Sequence, residues 1–323
     1  MQSARPDYLE PVGEGLWAVD TGFMRAHFDA AYLVVDDGRA AFVDAGTTFA
    51  LPRLLGALDA LGLARDAVDW VIPTHVHLDH AGGAGALLHA LPSARMLVHP
   101  RGARHMIDPA ALWAGATAVY GPEEMARAYG EVVPVPAERV RETAEGMLVQ
   151  VGRRPLVFAD TPGHARHHHC IWDEASRGWF SGDCFGLAYP ELASARGPWL
   201  LPTTTPVQFE PEVLVQTVGR LLARRPRWMY LTHYGRVGGS EDEVQRLGAQ
   251  LLEVMQALVA LGRGVQHEPD PTARHAALVR GQFAIYAERL QRHGSALAPE
   301  ALRTLLAIDL ELNAQGMAVW LDR

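Results

Sequence analysis

The sequence predicts an α+β protein, built of two mixed sheets with helices outside them and a helical C-terminal extension. Three observations lead there. Short apolar, β-branched segments alternate with helical patterns through the first half, a second β-rich stretch fills residues 140–181, and after residue 240 apolar residues recur at spacings of three and four.

Residues 16–20, 31–35 and 40–43 read as strands, and Asp36-Asp37-Gly38 between the last two signals a hairpin. Leu51, Leu54, Leu55, Leu58 and Leu61 share one face of a helix over 50–61, which Gly62 stops. Residues 68–72 form a buried strand running into Pro73. Further strands follow at 140–141, 147–151, 156–159, 168–172 and 178–181, each bounded by Gly, Pro or Asp. A helix over 212–224 precedes a late strand at 229–232. Val244, Leu247, Leu251, Val254, Leu258 and Leu261 then mark a long amphipathic helix, with similar patterns at 272–292 and 299–316.

A chain of 323 residues is ample for a packed core, and 49% apolar with 20% charged residues excludes a collagen-like or largely disordered protein. Its 29 basic residues against 37 acidic give a net charge of −8 with no basic run, which argues against nucleic acid as a partner. Every basic residue is Arg, so Schiff-base and lysine general-base mechanisms are excluded. Two cysteines, Cys170 and Cys184, do not make a disulfide framework. Arg5, Asp7 and Glu10 precede any apolar run, and no stretch nears the roughly 18–20 apolar residues of a membrane span. The expected setting is the cytoplasm, with no membrane partner.

Seven of the 15 histidines fall within residues 75–80 and 164–169. In Thr74-His75-Val76-His77-Leu78-Asp79-His80, the first two histidines are two apart at a strand's end and so project to one side. Four ligand-type side chains in six residues would be a costly burial of polar groups unless something pairs with them, and a divalent cation would. Isolated histidines are more often surface or hydrogen-bonded core residues. Here three further segments add the same residue types: Thr161-Pro162-Gly163-His164, Ser181-Gly182-Asp183 and Leu231-Thr232-His233-Tyr234-Gly235.

With these motifs the sequence resembles the metallo-β-lactamase-fold superfamily over about residues 10–240, in its glyoxalase II-like and lactonase-like branch. The resemblance implies a four-layer αβ/βα sandwich as the catalytic domain, residues 1–239, followed by the helical extension, 240–323. It implies that His75, His77 and His164 hold one metal, that Asp79, His80 and His233 hold a second, and that Asp183 bridges them. Asp79 and Asp183 are thereby the catalytic carboxylates, and Asp44 would orient a ligand histidine. Two cations about 3.5–4 Å apart share a water, lower its pKa and polarise the scissile group, so a bridging hydroxide replaces a serine or cysteine nucleophile. Imidazole and carboxylate donors suit zinc, and also iron or manganese. The implied activity is hydrolysis of a small ester, thioester or lactone. The alternative is a diiron or mononuclear-iron redox enzyme, of the oxygen or nitric-oxide reductase or persulfide dioxygenase type. Those reductases carry Glu where His77 stands. One well-known β-lactamase type carries Cys at the Asp183 position, so this chain departs from it.

Residues 186–210 show little regular pattern, and a loop that long is expected to face substrate rather than merely brace the C-terminal helices. Its Tyr189, with His168 and Tyr234, are the candidate substrate contacts. Consecutive strand residues alternate faces, so His167, His168 and His169 do not all look one way. The apolar faces after residue 240 must be covered, by the catalytic domain or in a homodimer. Arg274, Arg280 and Arg289 on those helices are either solvated charges or contacts to an anionic part of the substrate.

Overall fold

The computed structural model describes residues 5–323; residues 1–4, part of the charged N-terminal stretch read above, lie outside the described residues. By compactness the chain forms two units, one of residues up to Asp160 with 167–182 and 232–236, the other of 161–166, 183–231 and 237–323.

In the first unit a sheet runs in sequence order through β1 (Leu9–Gly13), β2 (Leu16–Asp20), β3 (Ala30–Asp36), β4 (Arg39–Val43), β5 (Val68–Ile72), β6 (Arg95–Val98) and β7 (Val140–Glu142). The first four strands are antiparallel. Asp37 and Gly38 take φ of 48° and 74°, the two left-handed residues that a two-residue hairpin between β3 and β4 requires. From β4 onward neighbours are parallel, because helices carry the chain back between them. These are α1 (Leu51–Ala60) before β5, α2 (Leu78–Ala81) and α3 (Ala84–Ala90) before β6, and α4 (Pro100–Ile107), α5 (Ala110–Tyr120) and one-turn α6 (Pro122–Glu124) before β7. Phe42, Val71 and Met96 from the sheet pack with Leu54, Leu58 and Leu87 from the helices in one core. The expected face of α1 is the one used: Leu54 and Leu58 are buried while Leu51, Leu55 and Leu61 are half-buried at its margin.

Four antiparallel strands complete this unit: β8 (Leu148–Val151), β9 (Arg154–Asp160), β10 (His169–Asp173) and β11 (Gly178–Gly182). Trp70 Nε1 of β5 donates to Gln150 O of β8 at 3.0 Å. Arg154 holds Asp173 with two bonds of 2.8 and 2.6 Å and reaches Glu14 O at 2.7 Å, tying β9 and β10 to the β1–β2 turn. The sequence reading missed β1, an edge strand containing Pro11 with a broken alternation, and β6, four residues long.

The second unit is mainly helical. It contains α7 (Pro211–Ala223) and β12 (Trp228–Leu231); β13 (Gly235–Gly238) lies at the changeover in sequence; then come α8 (Glu241–Val265), α9 (Pro271–His293), α10 (Pro299–Leu305) and α11 (Ala307–Leu321). Ser240 Oγ caps α8 by accepting from Glu243 N at 3.2 Å, with three acidic residues in the first turn complementing the helix dipole. Val244, Leu247, Leu251, Val254 and Leu258 are buried, and α8 and α11 both pack on α9. Among the described residues, no helix is long and apolar enough to cross a membrane.

Residues 186–210 lie within this unit and bond to its helices. Leu200 exchanges two hydrogen bonds with the Gln250 amide of α8, at 2.8 and 2.9 Å. Ser194 Oγ donates to His293 O at 2.7 Å, and Arg196 to Arg292 O at 2.9 Å, both at the end of α9. The contacts expected with substrate are, within the unit, those of a brace. Arg274 pairs with Asp322 at 2.7 Å and Arg289 with Glu253 at 2.7 Å, so these arginines link the helices and the C-terminal end through surface ion pairs.

Candidate metal centre

The candidate ligand motif begins where β5 stops. Pro73 cannot continue the ladder, so residues 73–77 leave the sheet, and α2 starts after His77. His75 and His77 therefore lie beyond the strand rather than on it. They still face one another, with His75 Nε2 and His77 Nδ1 2.9 Å apart. Asp79 and His80 are in α2, His80 fully buried and Asp79 partly open.

Asp44, at the end of β4, organises this region. Its φ of 59° turns the backbone aside, and its neighbours are strapped by Asp44 N to Ile72 O at 3.0 Å and Ala45 N to His80 O at 2.8 Å. The carboxylate accepts from Thr74 N at 2.6 Å, Thr74 Oγ1 at 3.0 Å, Thr232 Oγ1 at 2.7 Å and His80 Nδ1 at 2.9 Å. A carboxylate has about four acceptor sites, so these donors saturate it and leave it a support for ligands rather than a ligand.

The tautomers follow from the acceptors. Asp44 accepts only, so His80 carries its proton on Nδ1 and its lone pair on Nε2. His233 Nδ1 is 2.8 Å from Phe28 O, a carbonyl that likewise accepts only, so Nε2 again has the lone pair. Asp79 Oδ2 lies 3.9 Å from His80 Nε2 and 3.5 Å from His233 Nε2. One donor atom from each of the three side chains falls within 4.8 Å of the others. Bonds of about 2.0–2.2 Å to a tetrahedral cation put donors roughly 3.3–3.6 Å apart, so the set fits a divalent metal. Asp29 lies nearby, its Oδ2 accepting from Thr21 Oγ1 at 2.7 Å; burial pushes its carboxyl up to about 7 against the opposing pull of His233 and His80.

In the second unit His164 and Asp183 are both buried and adjacent, with His164 Nε2 3.5 Å from Asp183 Oδ2. Thr203 Oγ1 lies 3.2 Å from His164 Nδ1 and donates to Asp183 O at 2.9 Å.

The other candidates are placed as follows. The fully buried His168 stacks on His75, ring centroids 4.9 Å apart. Tyr189 is buried in the second unit with its hydroxyl donating to Asp309 at 3.1 Å, a contact with α11. Tyr234 is partly exposed, 4.8 Å from the His27 ring, and burial pushes its hydroxyl pKa up. His167 accepts from Val76 N at 3.4 Å, and burial, then His77, hold it neutral at about 2. Cys184 donates to Thr161 O at 3.1 Å. Sequence reasoning missed Thr74, Thr232 and Thr203. A signal for two of them was present: His75 and His233 each follow a threonine, and both hydroxyls meet on Asp44.

A mixed sheet flanked by helices, with imidazole and carboxylate donors collected beyond its strand ends, defines a metalloprotein. The chain belongs to the metallo-beta-lactamase superfamily, whose family description matches residues 25–233. Its fold is therefore two sheets flanked by helices, with the C-terminal helical region in addition. Among curated relatives it is 30% identical over 184 residues to the acyl-coenzyme A thioesterase MBLAC2 of Gallus gallus, covering 54% of this chain and 64% of that protein. It is 25% identical over 176 residues to the metallo-beta-lactamase fold-containing protein ST1585 of Sulfurisphaera tokodaii, covering 53% and 62%. The chain thus spans just under two thirds of these relatives' lengths. The crystal structure of ST1585 superposes with a TM-score of 0.60 at 21% identity, over 90% of this chain and 99% of that one. Membership of this superfamily supports a metal-dependent hydrolase.

Proposed function

We propose that the protein is a dinuclear metal-dependent hydrolase of a small ester, thioester or lactone. The observation that carries this reading is the pair of imidazoles anchored at Nδ1, His80 by Asp44 and His233 by Phe28 O, which present Nε2 beside Asp79. Such outer anchoring makes an imidazole a better and better-aimed ligand. The proposed sites are His75, His77 and His164 for one cation and Asp79, His80 and His233 for the other, with Asp183 shared. The donor set suits zinc and also takes iron or manganese. When bound, such a pair supplies a water acidified towards neutrality and an electrophile for the scissile carbonyl. Asp44 holds His80 in one tautomer, and Thr74 and Thr232 hold Asp44, so the ligands need no reorganisation on binding. The thioester member of the class is favoured by the relative named as an acyl-coenzyme A thioesterase. A small-molecule partner and a cytoplasmic setting complete the proposal.

Metal analysis of protein purified without added metal, followed by an ester, thioester, lactone and phosphodiester panel, tests it. About two zinc ions per chain with thioester or ester turnover is the expected result. Two irons per chain with oxygen uptake would replace hydrolysis by the redox alternative.

A further inference from the structure

We infer that the C-terminal helix α11 positions the ligand histidine His164, acting through Asn313 and the hydroxyl of Thr203. The inference rests on the metallohydrolase reading for the use of His164, but its geometry stands independently.

Thr203 has one hydroxyl proton and gives it to Asp183 O at 2.9 Å. Towards His164 Nδ1, 3.2 Å away, the same oxygen is therefore the acceptor. His164 must then be protonated on Nδ1, and its lone pair lies on Nε2, the nitrogen on the Asp183 carboxylate side. The hydroxyl thus sets a ligand tautomer and fixes the backbone of the neighbouring carboxylate residue with the same atom.

A hydroxyl on an irregular segment aims nothing unless the segment is held, and Asn313 holds it on both sides. Its Nδ2 donates to Pro202 O at 3.1 Å, Thr204 N donates to its Oδ1 at 2.7 Å, and Thr204 Oγ1 donates to its backbone carbonyl at 3.0 Å. Thr203 is the residue between these clamps. Asn313 is 2% exposed, Thr204 0% and Thr203 4%, so water does not compete. The amide accepts from Thr204 N through Oδ1 and donates to Pro202 O through Nδ2, a donor and an acceptor on one planar group. Three residues further along α11, a Cβ on Gly316 would collide with Thr204 O, so the helix lies directly against the segment it clamps. Thr203 and Asn313 are positioning residues, since neither is assigned to a metal.

The test uses full-length protein and the variants Thr203→Val, Thr203→Ser and Asn313→Asp. In metal-free, 15N-labelled protein, long-range proton–nitrogen spectra of the imidazoles, assigned with His164→Asn, should show His164 as the Nδ1–H tautomer. Thr203→Ser should preserve it, and Thr203→Val should give a tautomer mixture. Zinc titration against a chelator should show one of two sites weakened about 10- to 100-fold in Thr203→Val. Thr203→Ser should stay within about threefold of wild type at both sites, and Asn313→Asp should fall between the two, as expected of a support at one remove. Wild-type His164 in the Nε2–H form, or Thr203→Val with both affinities unchanged, overturns the inference. Wild-type protein that binds no zinc overturns the metallohydrolase reading, and the tautomer spectra still decide this one.

Discussion

The histidines proposed as ligands in the two units are aimed by different means. In the first unit the anchors are a carboxylate and a carbonyl at the ends of adjoining strands, Asp44 after β4 and Phe28 just before β3, which pleated hydrogen bonding already fixes. In the second, His164 leans on Thr203, a hydroxyl in a stretch with almost no regular structure, which is clamped in turn by a helix 110 residues later in sequence, 313 − 203. A side chain next to a sheet needs only a local support. One beside a loop needs a second layer, and the C-terminal helices supply it.

The largest expected effect comes from the local anchor. Asp44→Asn turns one carboxylate oxygen into an N–H2 group facing donors, so either Thr74 on Oδ1 or His80 and Thr232 on Oδ2 face a donor in place of their acceptor. It should cost roughly 3–5 kcal/mol in denaturant unfolding, with loss of the metal proposed for His80. A variant that retains both stability and metal would show that the strand-end anchor is dispensable, and the contrast between the units would fail. Next, Asn313→Ala leaves Pro202 O and Thr204 N buried without this partner. About 2–3 kcal/mol should be lost in the same measurement.

A third test uses a buried histidine without a ligand role in either unit. His169 on β10 has its Nδ1 2.8 Å from Thr143 Oγ1, and burial holds it neutral, its pKa pushed down to about 3. As pH falls below the ordinary value near 6.5, the unfolded chain takes the proton first. Its contribution is therefore intact above pH 6.5 and is lost progressively between 6.5 and about 3. His169→Phe should flatten metal-free stability across that window by about 1.4 kcal/mol per pH unit. An unchanged slope would mean that His169 is protonated in the folded state. The smallest effect is expected at Arg274→Gln, which breaks the partly exposed pair with Asp322 and should cost about 0.5 kcal/mol without altering metal affinity. A large effect on either would return this arginine to the list of functional residues.

The candidate ligand residues were legible in the sequence because each sits in a short run. His75 to His80 span six residues, His164 and Asp183 each close a short motif, and His233 lies within one. The hairpin at Asp36-Asp37-Gly38 and the buried stripe of α8 were equally local, one a turn signal and the other a period. What periodicity could not disclose was the destination of residues 186–210. Their partners Gln250, His293 and Asn313 are far along the chain, and nothing in a proline- and threonine-rich stretch distinguishes a brace from a binding loop. Thr203 was hidden for the same reason, whereas Thr74 and Thr232 could have been found as the residues preceding two candidate ligand histidines.

The Asp44 cluster also sets a timetable for biosynthesis. Thr232 donates to Asp44 across 188 residues of sequence. At about 5–20 residues per second, roughly 10–40 s separate the synthesis of the two. For most of that interval His75, His77 and His80 have been made, while His233 and one of Asp44's donors have not. On the proposed reading of the site, the growing polypeptide meets cellular cations with an unfinished set of donors, and selection among metals waits for the segment around residue 232.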